Sequence, residues 1–555
     1  MAASKGFKPK FTNIHLALVV AACGAASQAH AFSIDVGNPD FNIRLDTTAK
    51  YTAAWRVEGR DSKLADSPNR DEGNYKFDKG DMIGSRVDLL SEFDVIFKRR
   101  YGFRVSAAGW YDDAYRNSDV ERSPAVVDAG YDSSYNNDRY SNTTKRYYHG
   151  PSGEILDAFI FANMDLGGTP LNVKVGRHTV YWGSATFDFF GQGINYGQAP
   201  MDTRKSTAVP GTQAKETFLP VNQISFQSQV LPRLSLAGQY FLDWKPTRFS
   251  EGGTYFGGTD FFFHGPDQFP LAPGYNARRV SDLEPDDKHG SFGLNAIWTP
   301  AALKGGSLAV YYRQFDDPAP WLVPQVDTTN PADPTYRLVY PEDIKMLGVG
   351  LNMNMYGASV AADLSFRKDA PLIATGINPV NNEGPRGETL HFVTNFVKGL
   401  TSTRFWDTGT IIGELSYSHL VDVTHNEEFF NGEGYGCAVG LDRDDGCATK
   451  NFWGVGMQFN PQWLQVFPGV DLSTPITARY GLGGNGSTSM SGNEGHYSVS
   501  VGLAADIYQK YKVQLTYSDT HNDINSVVDG IAQTGNGGYA TNDRGWVSLS
   551  LQTSF

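Results

Sequence analysis

The sequence lacks any apolar run long enough to cross a bilayer as a helix, which needs about 20 consecutive apolar residues. It also has few cysteines, three in 555 residues, and fewer basic residues (47) than acidic ones (60). An acidic chain is not expected to bind nucleic acid, because nucleic-acid interfaces are basic. These deficits exclude a helical membrane protein and argue against a nucleic-acid-binding protein.

Catalytic and metal-binding patterns are also missing. No Gly-x-Ser-x-Gly motif is present, and no histidine in or near a predicted strand has a Ser or an acid at a recognised catalytic spacing; these histidines are His178, His391, His419 and His496. The Asp- and Asn-rich stretch from Asp128 to Asn142 offers oxygen ligands for calcium, but its spacing matches no EF-hand loop, which favours a solvated loop. We therefore predict no enzymatic activity, no cofactor and no metal site.

The amino terminus has the pattern of a secretory signal peptide. Three lysines precede a short apolar run from Ile14 to Ala22, and Ala29-His30-Ala31 forms a cleavage signature. A lipoprotein-type alternative at Cys23 is disfavoured, because a terminal barrel strand would already fix the protein in a membrane. We predict that residues 1–31 are a signal peptide and that 32–555 form the mature protein.

Cys437 and Cys447 remain in the mature chain and flank an acidic stretch. An exported protein reaches an oxidising compartment, so a disulfide in a loop is the expected state of this pair. A metal or redox role is the alternative, but the nearest histidine, His425, lies outside the stretch and the spacing matches no zinc motif.

Alternating apolar and polar residues recur in segments of about ten residues, as in tilted membrane strands. Examples are Phe41–Val57, Asp343–Asn354, Gly469–Tyr480 and the terminal segment Asp543–Phe555. The segments number about eighteen. A chain that ends on an aromatic strand residue resembles outer-membrane β-barrels, whose assembly machinery binds that strand, so Phe555 is predicted to be the assembly signal.

The connections between these segments alternate between short and long. This rhythm is typical of outer-membrane barrels, which have short periplasmic turns and long extracellular loops. A soluble propeller or sandwich gives no reason for it. We predict an all-β fold, a transmembrane antiparallel barrel of about 18 strands in the outer membrane of a Gram-negative bacterium. The lipid bilayer and the barrel-assembly machinery are its expected partners.

The alternation also predicts which face of a strand meets lipid. In Glu154–Leu166, Leu156 and Ile160 belong to the set predicted to face lipid, and Asp157 and Phe159 to the set predicted to face the lumen. Charges on the lipid face cost roughly 2–4 kcal/mol at the membrane midplane. On the same argument Ser548, Ser550 and Gln552 of the terminal strand point into the lumen.

The long connection 183–220 is rich in Gly, Pro and aromatic residues rather than in solvating charge. Its aromatic residues, Phe187, Phe189, Phe190 and Tyr196, would be costly to leave in water, so we expect the loop to fold into the lumen. Either it narrows the lumen or it plugs it with its charges internally paired; both readings need the same residues. The predicted constriction or ligand residues are Arg177, His178, Asp188, Arg204, Lys215 and Glu216.

Two blocks of sequence carry a resemblance to a known family. The first runs from Val173 to Pro220 and includes Val175-Gly176-Arg177-His178-Thr179-Val180-Tyr181-Trp182-Gly183; the second is Asp363-Leu364-Ser365-Phe366-Arg367-Lys368-Asp369-Ala370-Pro371-Leu372. They resemble the outer-membrane family called domain of unknown function 1302. In that family Gln and Asn usually stand where this chain has His178 and Tyr181. The resemblance implies hydrophobic cargo, with a periplasmic lipid-carrier-like protein and an exporter as partners.

Three kinds of function are compatible with such a barrel. We predict a channel or transporter for hydrophobic or amphiphilic small molecules, which diffuse through a constricted lumen. The alternatives are a general porin for small polar solutes and a structural barrel without transport. A general porin is disfavoured because the basic residues form no clear ladder along one strand. Phe261-Phe262-Phe263 either docks hydrophobic molecules at the entrance or covers another loop.

Overall fold

The computed structural model describes residues 32–188 and 190–555 of the chain. The predicted signal peptide, residues 1–31, and Phe189 of the predicted inward loop lie outside the described residues. None of the described helices is long and apolar enough to cross a bilayer.

Eighteen antiparallel strands form one closed sheet, which confirms the predicted fold and strand count. In chain order they are β1 Phe41–Arg56, β2 Met82–Phe97, β3 Tyr101–Asp112, β4 Ser152–Leu166, β5 Thr169–His178, β6 Val221–Leu231, β7 Leu234–Phe241, β8 Phe292–Trp298, β9 Ser307–Phe315, β10 Ile344–Met355, β11 Ala358–Pro371, β12 Arg386–Gly399, β13 Thr408–His425, β14 Asn451–Phe467, β15 Val470–Ser473 with Ile476–Gly483, β16 Tyr497–Ile507, β17 Tyr511–His521 and β18 Trp546–Ser554.

The barrel closes where β1 pairs with both β2 and β18. Tyr51 of β1 lies opposite Val87 on one side and Leu551 on the other. Phe555 continues this closure, since its N–H donates to Thr47 O (2.8 Å) and its carbonyl accepts from Thr47 N–H (2.7 Å). A short strand, Phe32–Ile34, pairs with β1 beyond the end of β18. The longer β1 is therefore covered along both edges, so the closed sheet leaves no unpaired edge there.

Eight short turns and nine long loops alternate along the chain, which confirms the predicted rhythm. Because the strands are antiparallel, all the long loops lie at one end of the barrel, and both described termini lie at the other. We number the loops in chain order: 57–81, 113–151, 179–220, 242–291, 316–343, 372–385, 426–450, 484–496 and 522–545.

The loops carry all six α-helices of the described residues and two small sheets of their own. The helices are α1 Ser62–Ala65, α2 Asp71–Tyr75, α3 Pro124–Asp128, α4 Asn142–Tyr148, α5 Thr203–Ala208 and α6 Ala214–Thr217. One small sheet joins Gln268–Ala272, Tyr275–Arg279, Gln325–Asp327 and Thr335–Arg337, and the other joins Ile524–Val528 with Ile531–Gly535. Short 3₁₀ helices lie at Asn136–Asp138, Ala301–Leu303, Glu427–Phe429, Arg443–Asp445 and Tyr539–Thr541.

The outer face of the barrel exposes large apolar side chains, as a lipid-facing surface requires. Ile160 is 62% exposed, whereas Ser548 and Ser550, predicted to face inward, are buried. One predicted orientation is wrong. Leu156 is buried against Leu90 and Ala108, because the pairing of β3 with β4 contains a bulge that shifts the alternation by one residue.

A loop cap lies over the extracellular end, where the first, second and fourth loops pack together. Its core is a cluster of buried tyrosines: Tyr115, Tyr135, Tyr140, Tyr148 and Tyr255. Three buried carboxylates tie the loops to one another. Asp71 accepts from Ser123 N–H (2.9 Å), Glu72 accepts from Ser134 N–H (2.6 Å), and Asp260 accepts from Glu72 N–H (3.1 Å). Phe261, Phe262 and Phe263 also pack within the loops, in agreement with the covering interpretation.

Candidate functional site

The third loop crosses the lumen to the opposite wall. Ser184 N–H donates to Asp363 Oδ2 of β11 (2.6 Å), Asn395 Nδ2 of β12 donates to Ser184 O (2.5 Å), and Thr186 N–H donates to Glu414 Oε2 of β13 (2.9 Å). These strands are six to eight places from β5, and the strand diametrically opposite is nine places away. The loop thus folds inward, as its aromatic content predicts.

Two buried arginines hold the backbone of the loop against this wall. Arg313 of β9 donates through Nη1 to Ile194 O (3.0 Å) and Tyr196 O (2.6 Å). Arg367 of β11 donates through Nη2 to Gly191 O (2.8 Å) and Gly193 O (3.1 Å). Both arginines have no exposed surface. We call residues 184–188 and 190–196 with Asp363, Arg313, Arg367 and Glu414 the far-wall anchor.

Glycines in the wall let the anchor approach the strands closely. A Cβ atom at Gly348 of β10 would lie 2.2 Å from Ile194 Cδ1, and one at Gly454 of β14 would lie 2.4 Å from Phe190 Cε2. A side chain at either position would therefore force Ile194 or Phe190 to move. The two sequence blocks that carry the family resemblance also meet here, because Asp363 and Arg367 of the second block bind the loop of the first.

The same loop returns to the near wall through α5 and α6. Lys205 of α5 pairs with Glu216 of α6 (2.8 Å) and with Asp88 of β2 (3.4 Å). Lys50 of β1 lies 3.9 Å from Glu216, and Lys215 pairs with Glu92 of β2. We call α5 and α6 with Lys50, Asp88 and Glu92 the near-wall latch.

The charges in the loop part of the latch stabilise one another. Burial alone would raise the pKa of Glu216, but Lys205 and Lys50 outweigh burial and lower that pKa. Burial likewise opposes the charged form of Lys205, but Asp88 and Glu216 raise its pKa. Asp202, which pairs with Arg204, has a lowered pKa because Arg204 and Arg248 outweigh the effect of burial. The surroundings of Glu216, Lys205 and Asp202 therefore favour the charged form of each of these three groups.

A narrow crevice with a cavity volume of about 40 Å³ lies between the latch and the wall formed by β1–β3. Its lining is mainly aliphatic and aromatic: Ala54, Ile83, Tyr115, Tyr147, Tyr148, Ala208, Val209 and Phe256. Thr52, Arg86, Asp112, Arg204 and Lys205 supply its polar groups. The Arg204 guanidinium lies 3.8 Å from the centre of the Tyr147 ring, so part of the wall is a cation–π pair.

The structure brings four of the six predicted constriction residues into the third loop. Arg204, Lys215 and Glu216 lie in or next to the latch. Asp188 lies in the far-wall anchor, where it accepts from Gly193 N–H (2.8 Å) and burial raises its pKa. These charges are all engaged with protein groups, which fits the interpretation that the loop's charges are internally paired.

The remaining two predicted residues, Arg177 and His178, lie on opposite faces of β5. His178 is 1% exposed and bonds Ser225 Oγ through Nε2 (2.7 Å) on the lumen side, beside Phe159. Arg177 alternates outward, with Nε donating to Pro220 O (3.1 Å) at the upper rim. The structure does not bring Arg177 to the constriction.

Sequence reasoning did not single out Arg313, Arg367 or Asp88 as partners of the loop. Lys50 and Asp88 were visible as charges at inward-facing positions of predicted strands, and such charges need a partner when buried. That signal was available. The pairing itself was not, because it depends on how far the loop reaches across the barrel.

The structure joins Cys437 and Cys447 in a disulfide within the seventh loop, as predicted. Among the described residues, no group of three or more His, Cys, Asp or Glu side chains is arranged to hold a metal ion.

The closed barrel, its apolar outer face and its one-sided long loops together identify the molecule as an outer-membrane β-barrel. Solved structures similar to this chain include Pseudomonas aeruginosa OccD3 (OpdP), at 11% identity and a TM-score of 0.41, covering 95% of this chain and 93% of that one. The P. aeruginosa outer membrane protein OpdK is 10% identical, with a TM-score of 0.41 and coverage of 92% and 98%. Acinetobacter baumannii OccAB3 is 11% identical, with a TM-score of 0.42 and coverage of 92% and 99%.

No curated protein matches the chain. The sequence profile of the family described as "protein of unknown function (DUF1302)" matches residues 12–555, almost the full length. The chain therefore belongs to the DUF1302 family.

Proposed function

We propose that the protein is an outer-membrane channel for hydrophobic or amphiphilic small molecules, which diffuse through a lumen narrowed by the third loop. One observation carries the proposal: the crevice between the latch and β1–β3 has mainly aliphatic and aromatic walls. Ligand sites with this composition, fixed by a few polar groups, suit compounds that are largely apolar.

The arrangement of charge supports this substrate class over small polar solutes. A general porin conducts through a wide aqueous lumen, whereas here a loop reaches from one wall to the other. The charges of that loop pair with protein groups, as in Lys205–Glu216 and Lys215–Glu92. Passage beside the loop then favours apolar molecules, because contact with apolar walls removes their surface from water and lowers their free energy.

The far-wall anchor favours a second candidate function, a structural barrel without transport. Its arginines and carboxylates are buried and bind the loop backbone directly, which is the arrangement of a fixed plug. In our proposal the anchor is fixed and only the latch side admits solute, so the plug and narrowing interpretations apply to different parts of one loop.

Export and assembly belong to the same proposal. We expect residues 1–31 to be removed as a signal peptide and the strand ending at Phe555 to be bound by the barrel-assembly machinery. A periplasmic lipid-carrier-like protein and an exporter remain the expected partners on the periplasmic side. Deletion of Phe555 should slow assembly in cells, and assembly at the normal rate would contradict that role.

The test is single-channel conductance of the refolded mature protein in planar bilayers, with and without dodecanoate or cholesterol. We expect a small conductance that an amphiphile reduces. A large conductance that no amphiphile changes would favour the general porin. If the protein neither conducts nor binds an amphiphile, the result would favour the structural barrel.

A matched pair of variants locates the passage. Ala208 lines the crevice, whereas Ala214 is exposed on α6. Ala208→Trp should abolish dodecanoate flux into proteoliposomes, and Ala214→Trp should leave that flux unchanged. Equal flux through both variants would place the passage elsewhere.

A further inference from the structure

The fourth loop pairs with the third loop at the point where the latch begins. Arg248 N–H donates to Met201 O (2.7 Å), and Arg248 O accepts from the N–H (2.9 Å) and the hydroxyl (2.9 Å) of Thr203. Thr203 is the first residue of α5. The first turn of this latch helix is therefore held by the backbone of the fourth loop.

The side chain of Arg248 ties the same point to the barrel wall. It donates through Nη1 and Nη2 to both carboxylate oxygens of Glu154 in β4 (2.8 and 2.7 Å), and its Nη1 lies 3.4 Å from Asp202 Oδ2. Asp202 also pairs with Arg204 and accepts from Lys205 N–H (2.9 Å) as the N-cap residue of α5. Such charge-assisted, two-pronged contacts fix orientation as well as distance, so Arg248 sets the position of α5 on the wall.

The second loop reaches the latch through Tyr147. The Arg204 guanidinium lies 3.8 Å from the centre of the Tyr147 ring, and the Arg248 guanidinium lies 5.1 Å from it. Tyr147 O also accepts from Arg86 Nη1 (3.1 Å), and the next residue, Tyr148, belongs to the buried core of the loop cap. Because a cation is attracted to an aromatic face, the Tyr147 ring joins the second loop to the latch.

The fourth loop runs from the latch into the core of the loop cap within residues 248–253. Glu251 N–H donates to Tyr148 Oη (3.1 Å), and Tyr140 Oη donates to Gly253 O (2.7 Å). Tyr140 and Tyr148 are both buried in the cap core. The cap and the start of α5 are therefore consecutive parts of one packed unit.

The far-wall anchor is attached to other parts of the molecule. Its partners include Arg313 of β9, Arg367 of β11 and Glu414 of β13, and Gln192 Nε2 donates to Ser491 Oγ of the eighth loop (3.1 Å). An outward movement of the second and fourth loops would therefore pull on the latch before it reached the anchor.

We propose that Arg248 and Tyr147 are positioning residues of the latch and that, through them, the loop cap controls the width of the passage at the near wall. While the second and fourth loops stay packed, α5 keeps Lys205 against Asp88 and Glu216. When these loops move outward, α5 follows and the near-wall side opens. This inference rests on the proposed function, because it names the element that regulates the channel.

The experiment measures single-channel current and, separately, dodecanoate flux into proteoliposomes. Arg248→Met removes the contacts with Glu154 and Asp202. It should raise the ratio of time spent in the larger to the smaller conductance state about tenfold, because a hydrogen bond to a charged group is worth about that ratio. Dodecanoate flux should rise with it.

Tyr147→Leu should raise the same ratio about threefold, because it removes the aromatic face from two guanidinium groups. Tyr147→Phe keeps that face and should leave the ratio unchanged. Tyr147 is only half-buried, so Tyr147→Leu is expected to fold even if Arg248→Met does not. Arg278→Met is the matched control for Arg248→Met, because Arg278 lies in the same loop and pairs with an exposed carboxylate, Asp333. It should change neither current nor flux.

Tyr140→Leu distinguishes a cap that regulates the latch from a residue that merely stabilises the fold. Tyr140 lies in the cap core, where it bonds Gly253 O. Tyr140→Leu should raise the conductance ratio in the wild-type background and have little further effect in Arg248→Met, in which the cap and the latch are already uncoupled. No rise in the wild-type background, or effects that multiply in the double variant, would overturn the coupling.

The outcomes separate this inference from the proposed function. An unchanged conductance ratio in both Arg248→Met and Tyr147→Leu, with dodecanoate flux intact, would overturn control by the cap and leave the channel proposal standing. A conductance ratio that changes as expected, in a protein that carries no dodecanoate, would support control by the cap and contradict the proposed substrate class.

Discussion

At the far wall the third loop is held by charged side chains that direct their hydrogen bonds to its backbone, whereas at the near wall it is held by charges that pair with one another. Arg313 and Arg367 are fully buried under the loop. In the latch the burial is uneven, because the Lys215 side chain is 41% exposed whereas those of Lys205 and Glu216 are 11% and 7% exposed. In the channel that we propose, the anchor stays in place and the latch, beside the crevice, is the part that yields to a solute.

The largest effect is expected from breaking the anchor. Arg367→Met removes the donor to Gly191 O and Gly193 O and leaves both carbonyls buried. We expect the free energy of unfolding to fall by about 3 kcal/mol, the typical cost of removing one partner of a buried charged contact. The loop should also leave the lumen in a fraction of molecules, seen as a larger and noisier single-channel conductance.

Arg233→Met is the matched control, because Arg233 is exposed in the turn between β6 and β7. It should change neither denaturation nor conductance. If Arg367→Met behaves like this control, the far wall does not anchor the loop.

A smaller effect on stability, with a clear effect on flux, is expected from the latch. Glu216→Gln weakens the contact with Lys205 (2.8 Å), and Lys215→Ala removes the pair with Glu92. Lys215→Ala should lower the free energy of unfolding by about 1 kcal/mol or less, as is usual for an ion pair near solvent. Glu216→Gln should lower it by about 2 kcal/mol, because the contact with Lys205 is buried and loses its charge on one side. Each should also change dodecanoate flux into proteoliposomes.

Glu427→Gln, an exposed change in the seventh loop, is the control for Glu216→Gln. Unchanged flux in both latch variants would show that Lys215 and Glu216 do not control the passage of solute.

The loop cap and the latch should respond to pH with opposite signs. The pKa of Glu216 and Asp202 is lowered, so their contribution to stability is present above the ordinary carboxyl pKa near 4 and is lost as the pH falls through their lower values. Acidification below about pH 4 should therefore loosen the latch and increase single-channel conductance. A conductance that stays constant or falls on acidification would contradict this.

In the cap, burial and the nearby Asp260 raise the pKa of Asp71 to about 8, and burial raises the pKa of Glu72 and of Asp260. Arg122 opposes this effect at Asp71 and Asp260, and Arg544 does so at Asp260. For a raised carboxyl pKa, the stabilisation is complete below the ordinary pKa near 4 and is lost as the pH rises through about 8. Proteolysis of the first and fourth loops should be faster at pH 9 than at pH 6, and Asp71→Asn should reduce the difference.

The smallest functional effect is expected from the disulfide. Cys437 and Cys447 lie in the seventh loop, away from both the anchor and the latch. Cys437→Ser with Cys447→Ser should destabilise that loop by roughly 2–3 kcal/mol, the worth of closing a loop of this size. Protease should cut within 426–450 sooner, and conductance should not change. An altered conductance would indicate that the seventh loop also lines the channel.

The barrel could be predicted from the sequence because each strand carries its own signal. The predicted strand Asp343–Asn354 and the observed β10 Ile344–Met355 differ by one residue at each end. Predictions failed where local pattern does not determine pairing. The predicted strand Gly469–Tyr480 is broken into two parts before Ile476, next to Pro475, which has no N–H for the ladder. The bulge that turns Leu156 inward leaves no mark in the alternation.

The site was predictable only in part. The aromatic content of 183–220 predicts that the loop folds inward, and its charges predict ion pairs. The hydrogen bonds from the loop backbone to Arg313, Arg367 and Asp363 could not be predicted. They depend on the barrel diameter and on the height at which the loop crosses the lumen. Each of these residues looks like an ordinary inward-facing polar residue of its strand.

The most direct test of the difference between anchor and latch is thiol modification during current recording. Its variants are Ala208→Cys in the crevice and Ala185→Cys in the anchor, with Ala214→Cys on the exposed part of α6 as the control for reactivity. A charged thiosulfonate should reduce the current through Ala208→Cys, react with Ala214→Cys without affecting the current, and fail to react with Ala185→Cys, which is buried. A current reduced through Ala185→Cys and unaffected in Ala208→Cys would contradict the account, because the passage would then run along the far wall.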